Sequence, residues 1–403
     1  MEQWYRHNRV LIPWALFGLS LSVPVALRLL KISSSDEDAG VVPSPVQILL
    51  PKLSASEAAD LPYPPDAFPN ARDVQSPYGS LRVYEWGPEE GRKVMLIHGI
   101  SNPCIALGAI AHSLVDKGCR VILFDLPGRG YSDTPVPTPH SARLYTTTIL
   151  LALASSPISW TGNGNTFSLI GYSLGGGIAA NFTSYFPTLV SSLILIAPAG
   201  LIRAEHFSWT NKLLYNTGLI NETTLEQIIA RRLRTGDPPT QPGKPKDELA
   251  PAAPATEELP KEKLGVLPKM AELSRARPGL SAPKAMAWQL DAHPGFVKAF
   301  MSGIRYGPIA NQHDVWRRIG QRLAAQNASS EERYTREGLQ GGKVLIIGGR
   351  KDVVVDSDEL EEDAIEVLGK ECVRFEWVDA GHELPITKSG EIVECVWGFW
   401  EGG

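Results

Sequence analysis

The sequence predicts an α/β fold: a mainly parallel, doubly wound sheet, preceded by an apolar N-terminal helix and interrupted by an inserted helical cap. Three observations predict it. Apolar strand-like runs at Val94, Val121, Phe167, Ser192, Val344 and Val373 alternate with helically spaced segments at 107–117, 141–155, 174–186, 358–368 and 390–400. That is the order a parallel sheet with crossover helices produces. Roughly 140 residues separate the strand at 193–197 from the next one, too many for a single crossover, so 201–340 reads as an insertion. Finally, the strand from Phe167 runs through Gly171-Tyr-Ser173-Leu-Gly175 directly into a helix.

The elements follow in order. Residues 1–9 form a short polar start, and 10–30 contain an uncharged apolar run from Val10 to Leu27. Arg6 and Arg9 precede this run and Arg28 and Lys31 follow it, which predicts a transmembrane or signal-anchor helix and hence a membrane localisation. A secretory signal, giving a secreted protein, is the other reading. No small-x-small cleavage site follows the run. Residues 31–70, rich in Ser, Pro, Ala and acids, suit an extended linker. The first half of the core occupies 71–200, where Gly79 to Trp86 alternate apolar and polar side chains as an antiparallel edge strand does. Within the cap, 235–263 is dense in Pro, Lys, Glu and Ala and reads as a mobile insert, while 223–233 and 285–325 read as helical. Its aromatics (Phe207, Trp209, Tyr215, Trp288, Phe296, Phe300, Tyr306 and Trp316) either roof an apolar pocket or glue cap to core. The second half of the core is 341–403.

Ser173 is the candidate nucleophile. A strand-to-helix turn this tight needs Gly171 and Gly175 on either side, so that no Cβ atoms collide across it. The turn aims the hydroxyl out of the sheet and leaves the Leu174 N–H at the positive end of the new helix. A serine hydroxyl needs a base, and the base an orienting carboxylate. In a doubly wound sheet these partners sit on loops past strand C-terminal ends. Asp352 follows the run Lys343-Val-Leu-Ile-Ile, and His382 follows Cys372-Val-Arg-Phe-Glu-Trp-Val378. A second oxyanion donor is expected after the strand at 93–97, where His98-Gly99 permits a sharp turn and the Ile100 N–H can point at developing charge. His98 itself reads as a structural hydrogen-bonding residue.

Together these segments resemble the α/β-hydrolase superfamily, its serine-nucleophile, capped members in particular, from about Ser76 to the C-terminus. The matching pieces are His98-Gly99, Asp125-Leu-Pro-Gly128-Arg-Gly130-Tyr-Ser132-Asp133, Gly171-Tyr-Ser-Leu-Gly-Gly176, Gly349-Arg-Lys-Asp352 and Ala380-Gly-His382. The resemblance implies Ser173 as nucleophile, Asp352 as acid and His382 as base. Serine at the elbow, where related epoxide hydrolases and dehalogenases carry Asp, implies acyl chemistry. Where many relatives have Pro four residues after the acid this chain has Asp356, which makes Asp356 a second candidate for the acid.

Composition excludes several other classes. A net charge of −5 gives no reason to expect nucleic acid. The glycines from Gly171 to Gly177 match neither a nucleotide phosphate loop nor a dinucleotide fingerprint. Cys104, Cys119, Cys372 and Cys395 form no Cys-x-x-Cys pair, so neither metal nor cofactor is expected. Asn-x-Ser/Thr triplets at Asn181, Asn221 and Asn327 are of a kind common by chance. The expected activity is hydrolysis of a carboxylic ester, apolar if the cap encloses a lipophilic pocket. Acyl transfer with the same three residues, or a non-catalytic membrane-tethered binding role, are the alternatives.

Overall fold

Eight strands form the central sheet of the computed structural model, which describes residues 40–203, 220–235, 272–328 and 338–402. In chain order they are β1 (Arg72–Ser76), β2 (Gly79–Trp86), β3 (Lys93–Ile97), β4 (Arg120–Phe124), β5 (Phe167–Tyr172), β6 (Val190–Ile196), β7 (Val344–Gly349) and β8 (Val373–Val378). Across the sheet the order is β8-β7-β6-β5-β3-β4-β2-β1. All pairings are parallel except those of β2, which runs antiparallel to both β1 and β4. Because β4 lies on one side of β3 and β5 on the other, the winding reverses there.

The inner parallel strands, β3 to β7, are mostly apolar because both faces are covered. Met95 and Ile97 of β3 pack with the layer formed by helices α2 (Ala142–Ala154), α3 (Leu174–Tyr185), α7 (His313–Ala328) and α8 (Ser357–Leu368). Val94 and Leu96 pack on the opposite face, against α1 (Gly108–Asp116) and α9 (Ser389–Glu401). Three further helices, α4 (Glu222–Thr235), α5 (Ala282–Ala292) and α6 (Phe296–Tyr306), pack on one another within the 201–340 insertion. The last helix of that insertion does not belong with them: α7 lies against α3 and α8 and completes a core layer. The 235–263 insert lies outside the described residues from 236 onward.

Three further expectations are corrected. Strand β2 is not the edge, since β1 covers it; its Arg82 and Glu85 are buried because ion pairs satisfy them, Arg82 with Asp73 at 2.7 Å and Glu85 with Arg120 at 3.0 Å. Residues 45–70 are no extended tether: short helices at Pro45–Ile48 and Ala55–Ala59 lead to Tyr63 and Phe68, both buried on the core. The expected membrane localisation does not stand. Among the described residues no helix is long and apolar enough to cross a membrane. The longest, α7, has only 16 residues and carries charged side chains at Asp314, Arg317, Arg318 and Arg322. The anchor or signal segment at 10–30 lies outside the described residues.

Candidate active site

Strand β5 ends at Tyr172, and α3 begins at Leu174, so Ser173 alone makes the turn. Its φ of 53° lies in the left-handed region, a conformation costing on the order of 1–3 kcal/mol for a non-glycine residue. Hydrogen bonds on both sides hold it there. Ser173 N–H donates to Ile196 O at 3.0 Å, and Ser173 O accepts from Gly176 N at 2.8 Å and Ala199 N at 2.9 Å. Both flanking glycines are required by close backbone approach. A Cβ on Gly171 would lie 2.2 Å from Gly175 O, and one on Gly175 would lie 2.2 Å from Ile97 O. Gly175 therefore lets α3 settle against the end of β3 itself.

The exit loops of β7 and β8 are bonded to each other, Arg350 N–H to Val378 O at 2.9 Å and Lys351 N–H to Ala380 O at 3.0 Å. This brings Asp352 and His382 together. Asp352 Oδ2 accepts from His382 Nδ1 at 2.8 Å, while its Oδ1 accepts the Val354 and Val355 N–H groups at 2.8 and 2.9 Å. A carboxylate so committed can only accept, so Nδ1 carries the proton and Nε2 is left as acceptor. Nε2 stands 3.0 Å from Ser173 Oγ. All three side chains are buried. Asp356 is engaged elsewhere: it caps α8, accepting from Asp358 N at 3.0 Å and Glu359 N at 3.1 Å. Tyr172, which sequence reasoning passed over, donates its hydroxyl to His382 O at 3.1 Å and supports the imidazole with its ring.

Past β3, His98 is fully buried, with Nδ1 2.8 Å from Gly99 O and Nε2 accepting Leu126 N–H at 2.8 Å. Nδ1 thus donates, and burial, reinforced by the charge of Arg129, holds this imidazole at a pKa of about 3. It is a neutral structural residue and not a base. Since a trans peptide opposes its C=O and N–H, fixing Gly99 O turns the Ile100 N–H away from His98. Leu174 N–H, at the first position of α3, has no intrahelical acceptor by construction. Two residues to which the sequence assigned no individual role complete the loop's support. Arg129, fully buried, donates Nε to Ile100 O at 2.9 Å, and Gln289 of α5 bonds Ser101 O. Asp125, in the glycine-rich loop after β4, accepts Cys104 N–H at 2.9 Å and Tyr131 N–H at 3.0 Å and is structural.

The cap aromatics that the structure describes act mostly as packing. Trp288 packs against Tyr63 and Tyr131 at 6.1 and 5.4 Å between ring centroids, and Phe296, Phe300 and Trp316 belong to the core. Tyr306 is exposed, and Phe207, Trp209 and Tyr215 lie outside the described residues.

A family model described as alpha/beta hydrolase fold matches residues 93–389. The chain is similar to a serine hydrolase-like protein from Danio rerio, 28% identical over 130 residues, covering 32% of this chain and 38% of the fish protein. It is also similar to a serine hydrolase-like protein from Dictyostelium discoideum, 27% identical over 184 residues, covering 42% of this chain and 49% of the other. The matched stretches thus span less than half the length of either relative. Among solved structures, a carboxylesterase from Bacillus subtilis superposes with a TM-score of 0.54 at 15% identity, covering 86% of this chain and 97% of that one. At that identity the likeness is one of fold.

Proposed function

The chain belongs to the α/β hydrolase fold family, and from that premise we propose that it is a serine hydrolase cleaving a carboxylic ester through an acyl-enzyme on Ser173. The observation that carries this reading is the relay of 3.0 Å from Ser173 Oγ to His382 Nε2 and 2.8 Å from His382 Nδ1 to Asp352 Oδ2. In the first step His382 Nε2 takes the hydroxyl proton as Ser173 Oγ attacks the ester carbonyl. Asp352 fixes the tautomer and stabilises the imidazolium that forms. The tetrahedral oxyanion is bound by the Ile100 and Leu174 N–H groups, and His382 returns the proton to the departing alcohol. Water then repeats the sequence on the acyl-enzyme.

A fluorophosphonate probe tests the proposal. Ser173 should be labelled in the native chain, and Ser173→Ala should abolish both labelling and ester hydrolysis. Native protein that takes no label and hydrolyses none of a series of esters of graded acyl length would remove the reading. Product analysis with a competing alcohol then separates hydrolysis from acyl transfer, which would use the same residues and a different acceptor.

A further inference from the structure

We propose that Gln289, contributed by the inserted cap, is a positioning residue for the loop that carries the Ile100 oxyanion donor. This rests on the serine-hydrolase reading and extends it to the cap. Three successive carbonyls of the loop after β3 each accept from a different buried side chain. Gly99 O is held by His98 Nδ1 at 2.8 Å, Ile100 O by Arg129 Nε at 2.9 Å, and Ser101 O by Gln289 Nε2. Each peptide plane is rigid and trans, so fixing a carbonyl also fixes the direction of the N–H behind it. Three adjacent planes are therefore set one after another, the first from within the loop, the second from the loop after β4, the third from the cap.

Gln289 reaches this loop by two routes. Its Nε2 bonds Ser101 O directly, and its Oε1 accepts Gly130 N–H at 3.0 Å, next to the Arg129 that holds Ile100 O. Only one orientation of the amide satisfies a carbonyl on one side and an N–H on the other, so both bonds depend on one rotamer. Four residues on, His293 bonds Ser132 O through Nε2 at 2.8 Å, so the end of α5 is seated across the same loop after β4. Gln289 is fully buried. An amide there is costly unless it is bonded, and an apolar side chain would fill the space without holding either backbone group. The amide is explained by what it fixes.

Two variants test this. Gln289→Met keeps the length and loses both hydrogen bonds; Gln289→Glu keeps an acceptor for Gly130 N–H and loses the donor to Ser101 O. Both should lower kcat for an ester about tenfold to a hundredfold, as small displacements of catalytic groups do, with KM within about twofold. A trifluoromethyl ketone, whose adduct with Ser173 carries an oxyanion, should lose affinity by the same factor. A merely structural role would lower active protein and melting temperature while leaving that affinity and KM alone, and this result overturns the proposal. So does native kcat in a folded variant of either kind. If only one variant folds, its ketone affinity decides. Native protein labelled by fluorophosphonate beside an unaffected Gln289→Met variant sinks this inference alone; unlabelled native protein sinks the hydrolase reading beneath it.

Discussion

Asp352 and Asp356 lie four residues apart, yet their hydrogen bonds give them different work. Asp352→Asn removes the acceptor that sets the tautomer of His382, and kcat should fall by about 10³–10⁴ with the fold intact. Asp356→Ala removes the cap of α8 instead; stability should drop by about 1 kcal/mol, read as a lower urea midpoint, with kcat unchanged. Ser173, Asp352 and His382 were legible in the sequence because each stands where a strand must end. Tyr172, Arg129 and Gln289 were not: a buried polar residue that bonds distant backbone leaves no periodic trace. Burial sets another residue-scale property. It is the main cause holding His98 and His140 at about 3 and His293 at about 4. In the unfolded chain these imidazoles return to about 6.5. Below that value the unfolded state binds protons that the native state refuses, so stability present at neutral pH is lost as pH falls from about 6.5 toward 4. These three groups together contribute at most about 4 kcal/mol per pH unit. His140, whose ring nitrogens find no partner among the described residues, is the simplest to remove: His140→Gln should flatten urea midpoint against pH by about a third of that slope.

At the scale of elements, β3 to β7 and the helices between them were readable because parallel strands buried on both faces are written as mostly apolar runs, while the edge strand β8 shows the alternation of Val-Arg-Phe-Glu-Trp-Val. The expected helix at 174–186 differs from the observed Leu174–Tyr185 by one residue. Strand β1 escaped notice because Arg-Asp-Val-Gln-Ser offers a single apolar residue; its place is set by pairing with β2 and by the Arg72 and Asp73 ion pairs. The glycines of two helices separate contact from propensity. In α3, a Cβ on Gly175 meets backbone, the Ile97 carbonyl at 2.2 Å, and neither partner can rotate away. Gly175→Ala should cost at least about 1–3 kcal/mol and displace the elbow, so that urea midpoint and fluorophosphonate labelling fall together. In α9, a Cβ on Gly398 meets nothing within 4 Å. Gly398→Ala should stabilise the chain by about 0.5–1 kcal/mol through helix propensity alone, leaving kcat untouched. Equal effects from the two substitutions would refute the distinction.

For the molecule as a whole, the sequence misled most at 45–70. Pro-rich composition describes a chain that cannot extend a helix, and it says nothing of where individual aromatic side chains go. Tyr63 and Phe68 go inward. Tyr63 bonds Asp125 and Tyr84, each at 3.1 Å, and Tyr131 bonds its carbonyl. Phe68 stacks on Trp86 at 5.3 Å, and Ala67 O accepts Ser274 Oγ from beyond the insertion's undescribed stretch. The segment thus ties the cap to the loop after β4, and the Asp125 it helps satisfy lies in the same loop as Arg129. Burying a large side chain is worth about 1.5–3 kcal/mol, so losing these two aromatics removes about 3–6 kcal/mol from a total stability of about 5–15. A chain beginning at residue 71 should therefore melt well below one beginning at residue 40. The shorter chain should also lose kcat, because the buried carboxylate of Asp125 gives up a donor next to the loop that holds Ile100. Melting curves followed by circular dichroism decide the point: closely matching transitions for the two chains would mean that 40–70 lies on the core without supporting it.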